Sequence, residues 1–139
     1  MVIHFYSVHD EYGEFSNFAL YGISLRKKIW PTAEHYFQAQ KFKAKKDQEE
    51  IRKANSPMLA ARMGRDRKRN LRRDWESVKV SVMREALAAK FTQHDSLRAL
   101  LLSTGNAKLI EHTTSWTKQP WVRQLTTLGS AADRTHEER

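Results

Sequence analysis

The chain has 139 residues, the length of one ordinary domain with a single hydrophobic core. It contains no cysteine, which excludes disulfides, thiolate nucleophiles and Cys-ligated zinc or iron–sulfur sites, and a reducing cytoplasm is the expected location. Lys and Arg number 25 against 16 Asp and Glu, a formal net charge of +9 that attracts phosphate, whether on nucleic acid or on a small molecule.

The first residues, MVIHFYSVHDEYGEF, lack a basic stretch followed by a long apolar run. No run of about 18 apolar residues occurs, so neither export nor a membrane partner is expected. VIHFYS is rich in β-formers and predicts a strand over residues 2–7, followed by a loop with Gly13. LYGISLRKKIW fits a short strand or irregular hairpin running to Pro31. Pro31 and Thr32 then start a helix predicted over residues 33–45, with Glu34 in the first turn, where a carboxylate meets the positive end of the helix dipole. Ser56 and Pro57 cap and open a short helix over residues 58–63 that Gly64 ends. Asp74 is placed to cap a long helix with an apolar stripe of Val78, Val82, Met83, Ala86, Leu87 and Ala89. Asp95 is placed to cap another, SLRALLLST, stopped by Gly105, and KLIEH predicts a last strand. The pattern is mixed α+β, mainly helical with a small sheet, and shows no internal repeat.

Three segments can carry chemistry. In WPTAEHYFQAQKF, helical spacing puts Glu34, Gln38 and Lys41 at i, i+4 and i+7, so one stripe offers a carboxylate, an amide and an amine. Trp30, Tyr36 and Phe37 can wall a pocket beside them, although the same spacing fits a solvated face. His35 reads as a packed or surface residue, as do His9, His94 and His112. No two histidines have ligand spacing on one helical turn, so no metal site is expected.

RMGRDRKRNLRR carries Arg62, Arg65, Arg67, Lys68, Arg69, Arg72 and Arg73 against a single Asp66. It is either a solvated basic loop or a phosphate receiver, since guanidinium forks grip phosphate in pairs and a helix start offers free N–H groups. Nucleic acid is a secondary candidate partner, without RNP aromatics, a GXXG loop or zinc ligands to support it. In EYGEFSNF, Ser16 and Asn17 stand between Phe15 and Phe18, where they can bind sugar hydroxyls or make a turn.

FYSVHDEYGEFSNF, WPTAEHYFQAQKF, SPMLAARMGRDRKRNLRRDWESVKVSVMREALAAKF and LRALLLSTGNAKLIEHT resemble, in order and spacing, the YbiA-like or NADAR family over about residues 3–113. The resemblance implies an α+β fold, a mainly helical single domain with a small β-sheet. It also implies hydrolysis of N-glycosidic bonds without metal or organic cofactor. YbiA-type members act on phosphoribosylamino-pyrimidine intermediates of riboflavin synthesis and release ribose 5-phosphate; other branches remove ADP-ribose from modified guanine. The expected partner is thus a small phosphorylated N-glycoside; the oligomeric state is not indicated.

Cleaving a C–N glycosidic bond develops positive charge on the sugar, so a carboxylate and a proton source are needed. Glu34 fits the first role, and Lys41 is a second catalytic candidate as a nucleophilic amine forming a Schiff base. The resemblance makes Ser16, Asn17, Trp30, Gln38, Arg65 and Trp75 the substrate-binding candidates, with Arg62 and Arg65 on phosphate. The family domain is expected over residues 1–112. Residues 113–139 depart from the family pattern, keeping Gly129 but lacking the glycine-rich loop and final amphipathic helix. Either the ending is divergent or the reading frame has slipped near residue 113, and a non-catalytic phosphate- or nucleotide-binding protein is the alternative of a different class.

Overall fold

A computed structural model describes residues 2–5, 12–105 and 108–111. The expectations for the tail after residue 112 lie outside the described residues, as do His9 and His112. Strand β1 (Val2–Phe5) pairs in parallel with β4 (Lys108–Glu111), Val2 opposite Lys108 and Phe5 opposite Glu111. Strands β2 (Ile23–Leu25) and β3 (Lys28–Trp30) form an antiparallel hairpin. Its two-residue turn puts Arg26 and Lys27 at φ 54° and 65°, the left-handed geometry that matches strand twist in tight hairpins. The expected small sheet is therefore two separate strand pairs. The rest of the described fold is a 3-10 turn (Gly13–Phe15) and the helices α1 (Ala33–Ala39), α2 (Lys45–Arg52), α3 (Pro57–Gly64), α4 (Trp75–Gln93) and α5 (Asp95–Ser103).

Helix α1 lies at the centre, and every one of its residues is buried. Thr32 caps it by accepting from His35 N at 3.1 Å, as a helix-opening threonine should. It ends at Ala39, shorter than the predicted span over 33–45. The backbone beyond is held by a neighbour far along the chain: Arg72 N donates to Lys41 O at 2.9 Å, and Phe42 bridges to Leu71. Lys41 therefore sits just past the helix rather than on its face. Helix α2, absent from the sequence reading, has only Ile51 as a buried anchor among charged residues.

Two other expectations change. Asp74 precedes α4, but its carboxylate accepts from Arg72 Nε and Nη2 at 2.6 and 2.9 Å instead of capping the helix. Asp95 is the first residue of α5, and the residue before it, His94, donates from Nε2 to the Gly22 carbonyl at 2.6 Å. The Ser56 cap stands, accepting from Leu59 N at 3.0 Å, and Gly64 is the last residue of α3. Gly105 at φ 55° follows α5, a conformation open to glycine without strain.

The α4 stripe buries Met83, Ala86, Leu87 and Ala89 in one core with Phe15, Tyr36 and Phe91, where α4 packs on α1, α5 and β2. Tyr36 pins α1 to α4 by donating its hydroxyl to the Glu85 carboxylate while accepting from Arg26 Nε at 2.9 Å. Burial and the Glu85 carboxylate push its phenol up to about 12. No helix among the described residues is long and apolar enough to cross a membrane.

Candidate active site

The site is built around the first and last turns of α1. Glu34 is only 7% exposed; its backbone N–H donates to Asn17 O at 3.2 Å, so the Ser16–Asn17 turn grips the start of the helix. That turn is fixed in its own right. Ser16 Oγ accepts from Phe18 N at 3.2 Å, and Lys90, fully buried on α4, donates from Nζ to Ser16 O at 2.8 Å. Both Ser16 and Asn17 are buried.

One turn along, Gln38 Nε2 donates to Glu34 Oε1 at 2.7 Å. Lys41, 9% exposed, points its amine towards the carbonyl of Gly64 at 3.4 Å. Helix α3 thus faces α1 across the two candidate catalytic residues. Burial pushes the Glu34 carboxyl above the usual range, opposed by the Gln38 hydrogen bond and the charges of Lys41 and Arg65. Burial pushes the Lys41 ammonium down; Glu34 opposes this and Arg65 reinforces it. Desolvation disfavours both charges, while each helps to sustain the other. A carboxyl with raised proton affinity holds a proton to higher pH than a solvated one, and an amine with lowered proton affinity gives up its proton more readily, the directions that acid–base and nucleophilic roles require.

The remaining candidates divide. Arg65 is exposed, yet it acts electrostatically on both Glu34 and Lys41, so its charge belongs to the site. Arg62 is exposed on α3. Trp75 packs on Phe37 with ring centroids 5.0 Å apart, backing the α1 wall. Trp30 lies in the core, edge-on to Tyr36 at 5.2 Å, with its indole N–H donated to Leu25 O. In the basic segment, Arg69 is drawn onto α2 by Asp47 and Glu50 at 2.6 and 2.8 Å, and Arg72 is used by Asp74. Arg62, Arg65, Arg67, Lys68 and Arg73 stay exposed.

Sequence reasoning passed over Lys90, although the signal was present: it continues the Met83, Ala86, Leu87 stripe at i+7, where a lysine has no solvated reason to be. His35 proves to be scaffold, bonded to Thr32 Oγ1 at 2.8 Å and Ala54 O at 3.0 Å.

A NADAR domain family model matches residues 4–121. The chain belongs to the NADAR domain family. Among family relatives, N-glycosidase YbiA of Escherichia coli K12 is 64% identical over 112 residues, covering 81% of this chain and 70% of that protein. The chloroplastic riboflavin biosynthesis protein PYRR of Zea mays is 40% identical over 125 residues, which cover 79% of this chain and 20% of the maize protein. The NMR structure of E. coli YbiA superposes with a TM-score of 0.90 at 52% identity, covering 99% of this chain and 88% of that one. The NADAR fold and the α+β architecture are thus one and the same here.

Proposed function

We propose that this NADAR protein hydrolyses the C–N glycosidic bond of a phosphoribosylamino-pyrimidine of riboflavin biosynthesis, releasing ribose 5-phosphate. The enzyme class follows from kinship with a protein named an N-glycosidase at 64% identity, and the riboflavin connection from the name of the maize relative. The observation that carries the chemistry is the buried Glu34 carboxyl, hydrogen-bonded by Gln38 and within the electrostatic reach of Lys41 and Arg65.

In the reaction the C1–N bond breaks, the departing nitrogen gains a proton and C1 gains the hydroxyl of water. A carboxyl raised by burial is suited to protonate the nitrogen or to take the proton of the attacking water. Lys41 supports two routes. As a cation it favours the Glu34 carboxylate; as a neutral amine it can attack C1 and release the sugar from an imine by hydrolysis. Arg65, an exposed guanidinium whose charge acts on both, is suited to the 5-phosphate.

The test is to incubate the purified protein with the phosphoribosylamino-pyrimidine, its dephosphorylated form and an ADP-ribosyl guanine, and to quantify the sugar released. Ribose 5-phosphate from the first substrate is the expected product. Release of ADP-ribose alone would transfer the assignment to the other family branch, and binding without release from any of them would refute catalysis.

A further inference from the structure

Gly64 touches Lys41 and Gln38, one a candidate catalytic residue and the other the partner of Glu34. Its carbonyl receives the Lys41 amine at 3.4 Å, and its α-carbon lies against the carboxamide of Gln38, the group that donates to Glu34. A methyl group built on Gly64 would stand 2.0 Å from Gln38 Oε1 and 2.8 Å from its Cδ, far inside van der Waals contact. The backbone of Gly64 is helical, the last residue of α3, so glycine is needed there for space and not for conformation. Gln38 Oε1, pressed against that α-carbon, is buried with no hydrogen-bond partner among the described residues. A buried, unpaired acceptor is unfavourable, so this orientation of the amide is kept against that cost by the Nε2 bond to Glu34 and by the packing of α3.

We propose that Gly64 is a positioning residue: its bare α-carbon seats the Gln38 amide so that Nε2 points at Glu34, while its carbonyl orients Lys41. The inference rests on the reading of Glu34 and Lys41 as the reacting pair. Any side chain at residue 64 must displace the far end of Gln38, and the movement that relieves the clash also withdraws the hydrogen bond from Glu34. Gly64 therefore acts through two other residues and makes no contact with substrate. The same glycine lets α3 approach α1 closely, which is how Arg65, the next residue, comes within reach of the pair.

The experiment combines carbon-13 NMR titration of the Glu34 carboxyl with steady-state kinetics on wild type, Gly64→Ala, Gln38→Ala and the double variant. Gln38 donation favours the ionised carboxylate, so Glu34 should titrate at higher pH in both single variants, and the double variant should match Gln38→Ala. Turnover should fall roughly 10- to 100-fold with little change in KM, and the two losses should not multiply. An unchanged Glu34 midpoint in folded Gly64→Ala, or losses that multiply, would overturn the proposal. If Gly64→Ala does not fold, the double variant decides: a folded protein with the Gln38→Ala midpoint supports the wedge, and an unfolded one refutes it. Should the wild type cleave no N-glycoside while the titration shifts appear, the glycosidase reading fails and the positioning of Glu34 by Gly64 stands.

Discussion

Gln38 and Glu34, one helical turn apart and joined by a 2.7 Å hydrogen bond, are both buried on the central helix of the fold. A lone carboxyl in that position is a liability to stability, because burial raises its proton affinity in the folded state. The sign follows from that direction. The group's contribution is fully present below the ordinary carboxylate range and is lost as pH rises through the raised value. Glu34→Gln removes this penalty and should be more stable than wild type at neutral pH, by about 1 kcal/mol, while turnover falls about 10²- to 10⁴-fold. Thermal melts between acid and neutral pH, run beside the activity assay, check both halves. A variant with undiminished rate would remove Glu34 from the mechanism.

Lys41 is held in the opposite sense. Burial lowers its proton affinity and the Arg65 charge adds to the effect, against the pull of Glu34, so a larger share of the amine is neutral than on a solvated lysine. Borohydride added during turnover is expected to fix an opened-sugar adduct on Lys41, visible as a mass increase on its peptide. Lys41→Arg, which keeps the charge without the nucleophile, should then lose as much activity as Lys41→Ala. An active enzyme that yields no adduct, with Lys41→Arg retaining rate, assigns direct hydrolysis instead.

Arg65→Ala removes a cation that favours ionised Glu34 and disfavours charged Lys41. Two effects are expected. KM for the phosphorylated substrate should rise about ten-fold, the scale of one charge-assisted hydrogen bond, with the dephosphorylated substrate little affected. The pH profile should also move upward, since both groups then hold their protons more tightly. An equal rise in KM for both substrates would contradict a phosphate role for Arg65.

Much of this arrangement was legible in the chain because it rests on local rules. Thr32 and Ser56 cap their helices through backbone N–H groups three residues on, as their positions in the sequence foretold. Gly64 ends α3 and Gly105 follows α5, and the i, i+4 spacing did bring Gln38 onto Glu34. What escaped depends on distant partners. Lys41 leaves the helix because residues 71 and 72 take its backbone and that of Phe42. Arg69 and Arg72 look like free cations in a basic run until Asp47, Glu50 and Asp74 are brought beside them. The glycine read as a helix stop also seats the Gln38 amide, a steric fact that no spacing encodes.

His35, directly after Glu34, makes a further prediction because its two ring nitrogens face groups of different kinds. Ala54 O can only accept, so Nε2 must carry the proton. Thr32 Oγ1 already accepts from His35 N and can donate its own hydrogen to Nδ1, so the neutral ring satisfies every group. A second ring proton would put a charge into this buried site, and burial lowers the proton affinity of the ring, opposed by the Ala54 carbonyl. Stability from this group is therefore present above the ordinary imidazole range and lost as pH falls through that range towards the lowered value. His35→Leu should destabilise the protein by about 1–3 kcal/mol at neutral pH, because Ala54 O and the Thr32 hydroxyl lose their partner. The same variant should lose the wild type's extra sensitivity to mild acid. Urea unfolding midpoints measured for both proteins from neutral to mildly acidic pH would reveal it as curves that converge on acidification; parallel curves would show that His35 does not titrate with folding.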